Sequence, residues 1–306
     1  MTGPGPVAAA GNIYDLGYRG YDGPTLGRPS VGIGLLRRSL AEAYGIGRGG
    51  RAKIAPFLLL GLNTLPAVLA VGFTALINQA GAGQQLEGGV PIRHDTYQGL
   101  TTTLVMLFCA AQAPELFGRD QRYGVLPLYF SRVLTRVDYA LARTGGIFLA
   151  VLIVTLVPHL VLSIGGILAA ADPVTGLQDD LPDIPRYLAV SVLASGLLAG
   201  VASVVAAWTP RRAYATATII GLFIIPPIVV AIVSQLAVGD AARVLHLISP
   251  GDVVEGLNAA IFGVLAEGSP AVMAAGLPGW VYMATTIVFI VASLALVLRR
   301  YLTVTV

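Results

Sequence analysis

Residues Tyr139–Ala170, YALARTGGIFLAVLIVTLVPHLVLSIGGILAA, decide the class of this chain. From Thr144 to Ala171 there is no Asp, Glu, Lys or Arg. In hydrocarbon such a stretch satisfies its own backbone hydrogen bonds only as a helix or as part of a closed barrel. A barrel strand needs only about 10 residues and a crossing helix roughly 20, so the length chooses the helix. The excess over a core of about 30 Å is taken up by tilt or by an extension into the interface.

Comparable apolar segments lie on both sides of it. They place six membrane spans at about 54–78, 97–117, 139–170, 187–208, 213–237 and 280–298. Over all 306 residues 56% are hydrophobic and 11% charged, against about 25% charged in a soluble domain, which excludes two ordinary soluble domains. The surplus of 19 basic over 16 acidic residues is too small to suggest a nucleic-acid partner. Cys109 falls inside an apolar segment and, as the single cysteine, can form no internal disulfide. The N-terminus lacks the basic segment, apolar core and cleavage site of a secretory signal, so the first span is expected to be retained.

Short loops rich in Lys and Arg stay cytoplasmic. Arg19, Arg28, Arg37, Arg38, Arg48, Arg51 and Lys53 precede the first span; Arg119, Arg122, Arg132, Arg136 and Arg143 lie around the loop between spans two and three. Arg211 and Arg212 separate spans four and five, and Arg299 and Arg300 follow span six, leaving only Arg93, Arg186 and Arg243 for the other side. This distribution predicts an all-α integral membrane protein with both termini cytoplasmic. The outer loops are acidic (Glu87, Asp95, Asp172, Asp180, Asp252, Glu255), and the long one over 238–279 holds a run, Val253–Ala266, too short to cross. An interfacial or re-entrant helix is expected there.

Residues 1–29 form a Gly/Pro/Ala-rich cytoplasmic leader, in part of disordered composition, and 30–53 an amphipathic segment. Within it Ile33, Leu36, Leu40, Ala43 and Tyr44 share one helical arc, whereas Arg37 and Arg38 lie outside it. A basic helix of this kind lies in the headgroup plane or packs on a partner.

Catalytic signatures are missing. The only lysine, Lys53, stands in no phosphate-binding loop, and His94, His159 and His246 lie on separate elements without HExxH or CxxC spacing, so neither a catalytic nor a metal residue is assigned. His159, after Pro158 inside span three, is a candidate for a pathway or relay; the alternative is a neutral imidazole bonded to a neighbouring helix. Pro226 and Pro227 interrupt span five and join it as pathway candidates, since adjacent prolines predict a break or kink. Span four carries Ser191, Ser195, Ala199, Ser203 and Ala207 at every fourth position, with Gly196 and Gly200 beside them, a face that lets helix backbones approach closely.

The segment Pro114–Arg143, PELFGRDQRYGVLPLYFSRVLTRVDYALAR, is similar to the loop between spans two and three of ATP-binding-cassette type 2 permeases. That family has an acidic residue closing span two, a Gly-x-Leu segment and a Ser-Arg-Pro-x-x-Arg stretch, here matched by Glu115, Gly124, Leu126, Ser131, Arg132, Arg136 and Asp138. Val133 departs from the family's proline. The leader Ile13–Arg28 resembles the opening of an actinobacterial-type subgroup. The resemblance implies that 118–138 is a coupling loop docking on a separate ATPase, with Asp120, Arg122 and Tyr123 joining the matched residues.

By the same resemblance, two copies of the ATPase hold ATP and Mg, a second permease chain completes a homodimer, and this chain has no cofactor of its own. It implies export across the plasma membrane, with lipid as the surrounding partner; the few charges within the spans are compatible with a hydrophobic or amphipathic substrate. A membrane-embedded enzyme, or a scaffold or channel independent of ATP, are the rival readings.

Overall fold

The computed structural model describes residues 23, 27–79, 92–131, 134–170, 172–236, 240–267 and 269–303. Arg132, Val133, Glu87 and nearly all of the leader, including the resemblance over 13–28 except Gly23, Gly27 and Arg28, lie outside the described residues. Among the described residues the fold is helical and has no strand. Helix α1 (Arg28–Ala43) precedes α2 (Arg51–Gln79), α3 (His94–Arg122), the short α4 (Leu126–Phe130) and α5 (Arg136–Ala169). There follow α6 (Pro173–Asp180), α7 (Asp183–Trp208), α8 (Arg212–Leu236), α9 (Asp240–Leu245), α10 (Pro250–Phe262), α11 (Pro270–Ala275) and α12 (Gly279–Leu302). Six of these, α2, α3, α5, α7, α8 and α12, are long and apolar enough to cross a membrane.

Helices α5 and α7 form the centre, α5 touching α1, α2, α3, α7 and α12, and α7 touching α3, α8, α10 and α12. Small residues set these approaches. On α7, a Cβ at Gly196 would come within 2.9 Å of Ile290 on α12, and one at Gly200 within 3.0 Å of Ser293. Ser195 meets Thr155 of α5 at 2.9 Å, while Ala199 and Ser203 are buried. The small-residue face of span four therefore serves contacts within the chain. Between apolar helices in lipid such close backbone packing is itself a source of attraction.

Helix α1 lies against α5 and α3 rather than standing apart from the bundle. Leu35, Ser39 and Ala43 form its buried seam, Tyr44 is buried just beyond, Leu36 and Leu40 are half-buried, and Ile33, Arg37 and Arg38 are exposed. Gly145 and Gly146 of α5 accept this seam: a Cβ on Gly145 would sit 2.8 Å from Leu36, and one on Gly146 would overlap Ser39. The Tyr44 hydroxyl then donates to the Ala150 carbonyl at 2.8 Å.

Helix α8 continues through Pro226 and Pro227 without a break. Each proline removes one amide, so the carbonyls of Leu222 and Phe223 lose their donor four residues on. In the segment after α8, α10 is only 13 residues long and packs its buried Val253, Val254 and Leu257 into the bundle, against α3, α7 and α12. Ser249 caps it by accepting from the Asp252 amide, and Gly263, at φ 78°, ends it.

Candidate functional site

The candidate site follows from how α3 ends and α5 begins. Helix α3 runs on to Arg122 and stops at Gly124, whose φ of 62° is a left-handed conformation that a side chain disfavours. The chain turns through the five residues of α4 and enters α5 through a capping box: the Asp138 amide donates to Thr135 Oγ1 at 3.2 Å, and the Thr135 amide donates to Asp138 Oδ2 at 2.9 Å. Leu126 is buried, whereas Tyr123 (69% exposed) and Leu128 (68%) point outward. Arg122, Gly124 and Ser131 are exposed too.

The acidic residues of the segment, with Arg136 and Arg143, are held from within the chain. Arg143, 1% exposed, bonds Glu42 of α1 at 2.7 Å and also bonds Asp120, which accepts from the Tyr139 hydroxyl at 2.8 Å. Glu115 is held by Arg48 at 2.7 Å and by Arg212 at the start of α8. Asp138 takes a two-pronged bond from Arg28, at 2.8 and 3.0 Å, that fastens the start of α1. Arg136 donates to the Leu302 carbonyl at 2.9 Å, and Gln121 donates to the Ala207 carbonyl and the Tyr301 hydroxyl. Burial alone would raise the Glu42 carboxyl, but the Arg143 and Arg38 guanidiniums outweigh it and hold it below the usual range.

Five of the residues assigned to coupling, Glu115, Asp120, Arg136, Asp138 and Gly124, thus build the support, and Arg122, Tyr123 and Ser131 are its exposed surface. The sequence did not single out the partners Glu42, Arg48 and Tyr139. A Glu on the polar side of α1, one turn after Arg38, reads as a solvated pair; its second partner, Arg143, is over a hundred residues away.

The opposite end holds a second cluster. His159 and His94, separate in sequence, meet Nδ1 to Nδ1 at 3.0 Å, and His94 Nε2 lies 3.2 Å from Asp180 on α6. The Tyr187 ring stacks on both imidazoles, at 5.4 Å and 4.8 Å. With His94 Nε2–H donating to Asp180, its Nδ1 accepts from His159, which leaves His159 Nε2 buried without a partner among the described residues. Among the described residues no group of three or more His, Cys, Asp or Glu side chains is arranged to hold a metal ion. Cys109 is buried and free.

Neither a protein-family model nor a curated protein matches the chain.

Proposed function

We propose that the chain is the permease subunit of an ATP-binding-cassette transporter of the type 2 kind, with the arginine-rich end cytoplasmic and α4 as the coupling helix. The observation that carries this reading is the contrast within 118–138: a rigidly braced base whose acidic groups are paired inside the chain, topped by exposed Tyr123 and Leu128. Such braced apolar and aromatic groups suit a docking surface, where aromatics and Arg are enriched. A loop that only met anionic lipid would use its arginines and have no need of the brace.

In this reading both termini are cytoplasmic, α1 lies at the inner interface, and the chain sits in the plasma membrane. Two separate ATPase subunits supply ATP and Mg chemistry, and this chain is no enzyme. A second copy completes a homodimer that exports a hydrophobic or amphipathic substrate. Movement of α4 is passed on to α5 through Asp138, to α1 through Arg28, and to α12 through the Arg136 bond at Leu302. A photoreactive amino acid placed at Leu128 tests the docking: cross-linking to a cassette ATPase in native membranes is expected, and cross-links to lipid alone would refute it.

A further inference from the structure

Between α3, α8 and α10 lies a cavity of about 410 Å³. This is within the size range of small-molecule sites, roughly 300–1,000 Å³. Its walls are mostly apolar: Met106, Leu107, Phe223 and Ile224 on the two long helices, with Pro227 and Ile228 where α8 passes its proline pair. Thr102 and Thr103 contribute hydroxyls, and among the described residues Asp252 and Glu255, one turn apart on α10, are its only ionisable lining groups, with no basic residue.

The two carboxylates differ. Asp252 is buried and already partnered, by His246 Nδ1 at 2.8 Å. Glu255 has the Ser269 hydroxyl for company and, among the described residues, no ion pair. Burial, together with the neighbouring Asp252 carboxylate, holds its carboxyl above the usual carboxylate range, only partly offset by Ser269. A carboxylate drawn out of water without a cation is costly, and the cost is recovered when a cation arrives. The excess of arginines at the other end of the bundle does not account for this: it concerns basic loops, whereas Glu255 is an acid facing an apolar chamber.

We infer that the cavity between α3, α8 and α10 is a binding site for a monovalent organic cation with a bulky apolar body, its charge against Glu255 and its body against Met106, Phe223 and Ile228. This occupant follows from charge complementarity: among the described residues two acids and no base stand on a wall that is otherwise apolar but for Thr102 and Thr103. As a binding site it stands without the ATPase; as a stage in transport, and so as the substrate class, it rests on the permease reading.

The test is equilibrium binding of radiolabelled tetraphenylphosphonium to the purified full chain with whatever assembles with it, in lipid nanodiscs with empty nanodiscs as blank. Expected is saturable binding, displaced by methyltriphenylphosphonium and not by uncharged triphenylphosphine oxide. Glu255→Gln lowers affinity on the order of tenfold or more. Ile228→Trp, on the exposed rim, abolishes binding by filling the chamber while leaving both acids in place. Equal displacement by the neutral analogue, unchanged affinity in Glu255→Gln, or no saturable binding because lipid or a second copy fills the cavity, would each overturn the site. Phosphonium binding without any co-purifying ATPase would keep the site and remove the permease reading.

Discussion

The two ends of the helix bundle differ in how far their acids are paired with guanidinium groups. At the arginine-rich end each acid drawn into the structure has a guanidinium: Glu42 and Asp120 share Arg143, Glu115 has Arg48 and Arg212, and Asp138 has Arg28. At the other end Asp252 is paired with His246, but among the described residues His159 keeps a buried nitrogen unpartnered, Asp180 a buried oxygen, and Glu255 faces a mostly apolar cavity without an ion pair. At the arginine-rich end Arg48 Nε and Arg143 Nε stay buried without a partner among the described residues, but Glu42, Asp120, Glu115 and Asp138 are all paired, and that makes a framework that resists movement, because breaking such a pair leaves an uncompensated charge. Incomplete pairing leaves free energy that a proton or a ligand can claim. The proposed coupling surface stands on the first kind of end, and the proposed cation site belongs to the second.

Arg143→Leu attacks the framework at its centre and is expected to have the largest effect. It strands Asp120 and leaves Glu42 only the exposed Arg38, a loss of about 3–5 kcal/mol for a broken buried pair, measurable as a fall in midpoint of denaturant unfolding in mild detergent. The triple change Arg143→Leu, Glu42→Gln, Asp120→Asn should recover most of that loss if charge, and not packing, is the cause. Gly146→Leu comes next. Its side chain would overlap Ser39 on α1, an overpacking cost of about 1–3 kcal/mol, and trypsin should then cleave at Arg48 and Arg51 under conditions that leave the native chain intact.

Protonation probes the same seam more gently. The Glu42 carboxyl is held below its ordinary value of 4.5, so its contribution to α1 docking is present above that value and is lost as pH falls through the lower folded-state value. Tryptic sensitivity after a brief acid pulse should therefore rise only below about pH 4.5, and Glu42→Gln should remove the step. The smallest change in stability is expected at the tip. Leu128→Glu alters an exposed side chain and should stay within about 0.5 kcal/mol of the native protein, yet it should abolish docking of the ATPase. A large loss of stability there would mean that the tip belongs to the framework after all.

The long helices were legible because an uninterrupted apolar run of 20 or more residues has few physical outcomes. The helix ends were less so: α3 extends to Arg122 and α5 begins at Arg136, beyond the apolar stretches, because Gly124 and the Thr135–Asp138 box set the ends rather than hydropathy. The seam of α1 was also hard to place. Hydrophobic periodicity includes Ala43 and Tyr44, which are buried, but also Ile33, which is exposed, and it omits Ser39, which packs on Gly146 of α5; only the folded chain brings that glycine opposite. In the segment Pro114–Arg143 the turn at Gly124 and the Thr135–Asp138 box are local, but the pairings that brace it run to Arg28, Glu42, Arg48 and Arg212, far off in the sequence. The meeting of His94 with His159, and the chamber at Glu255, depend on contacts between distant helices that no local pattern announces.

The most direct test of the permease reading is affinity purification of the tagged chain from its native membrane in mild detergent, with mass spectrometry of whatever accompanies it in equal amount. The account predicts a cassette ATPase at one copy per permease chain, lost from the Leu128→Glu protein. An intact, folded sample that reproducibly carries no such subunit would contradict it and return the chain to the channel, scaffold or enzyme readings.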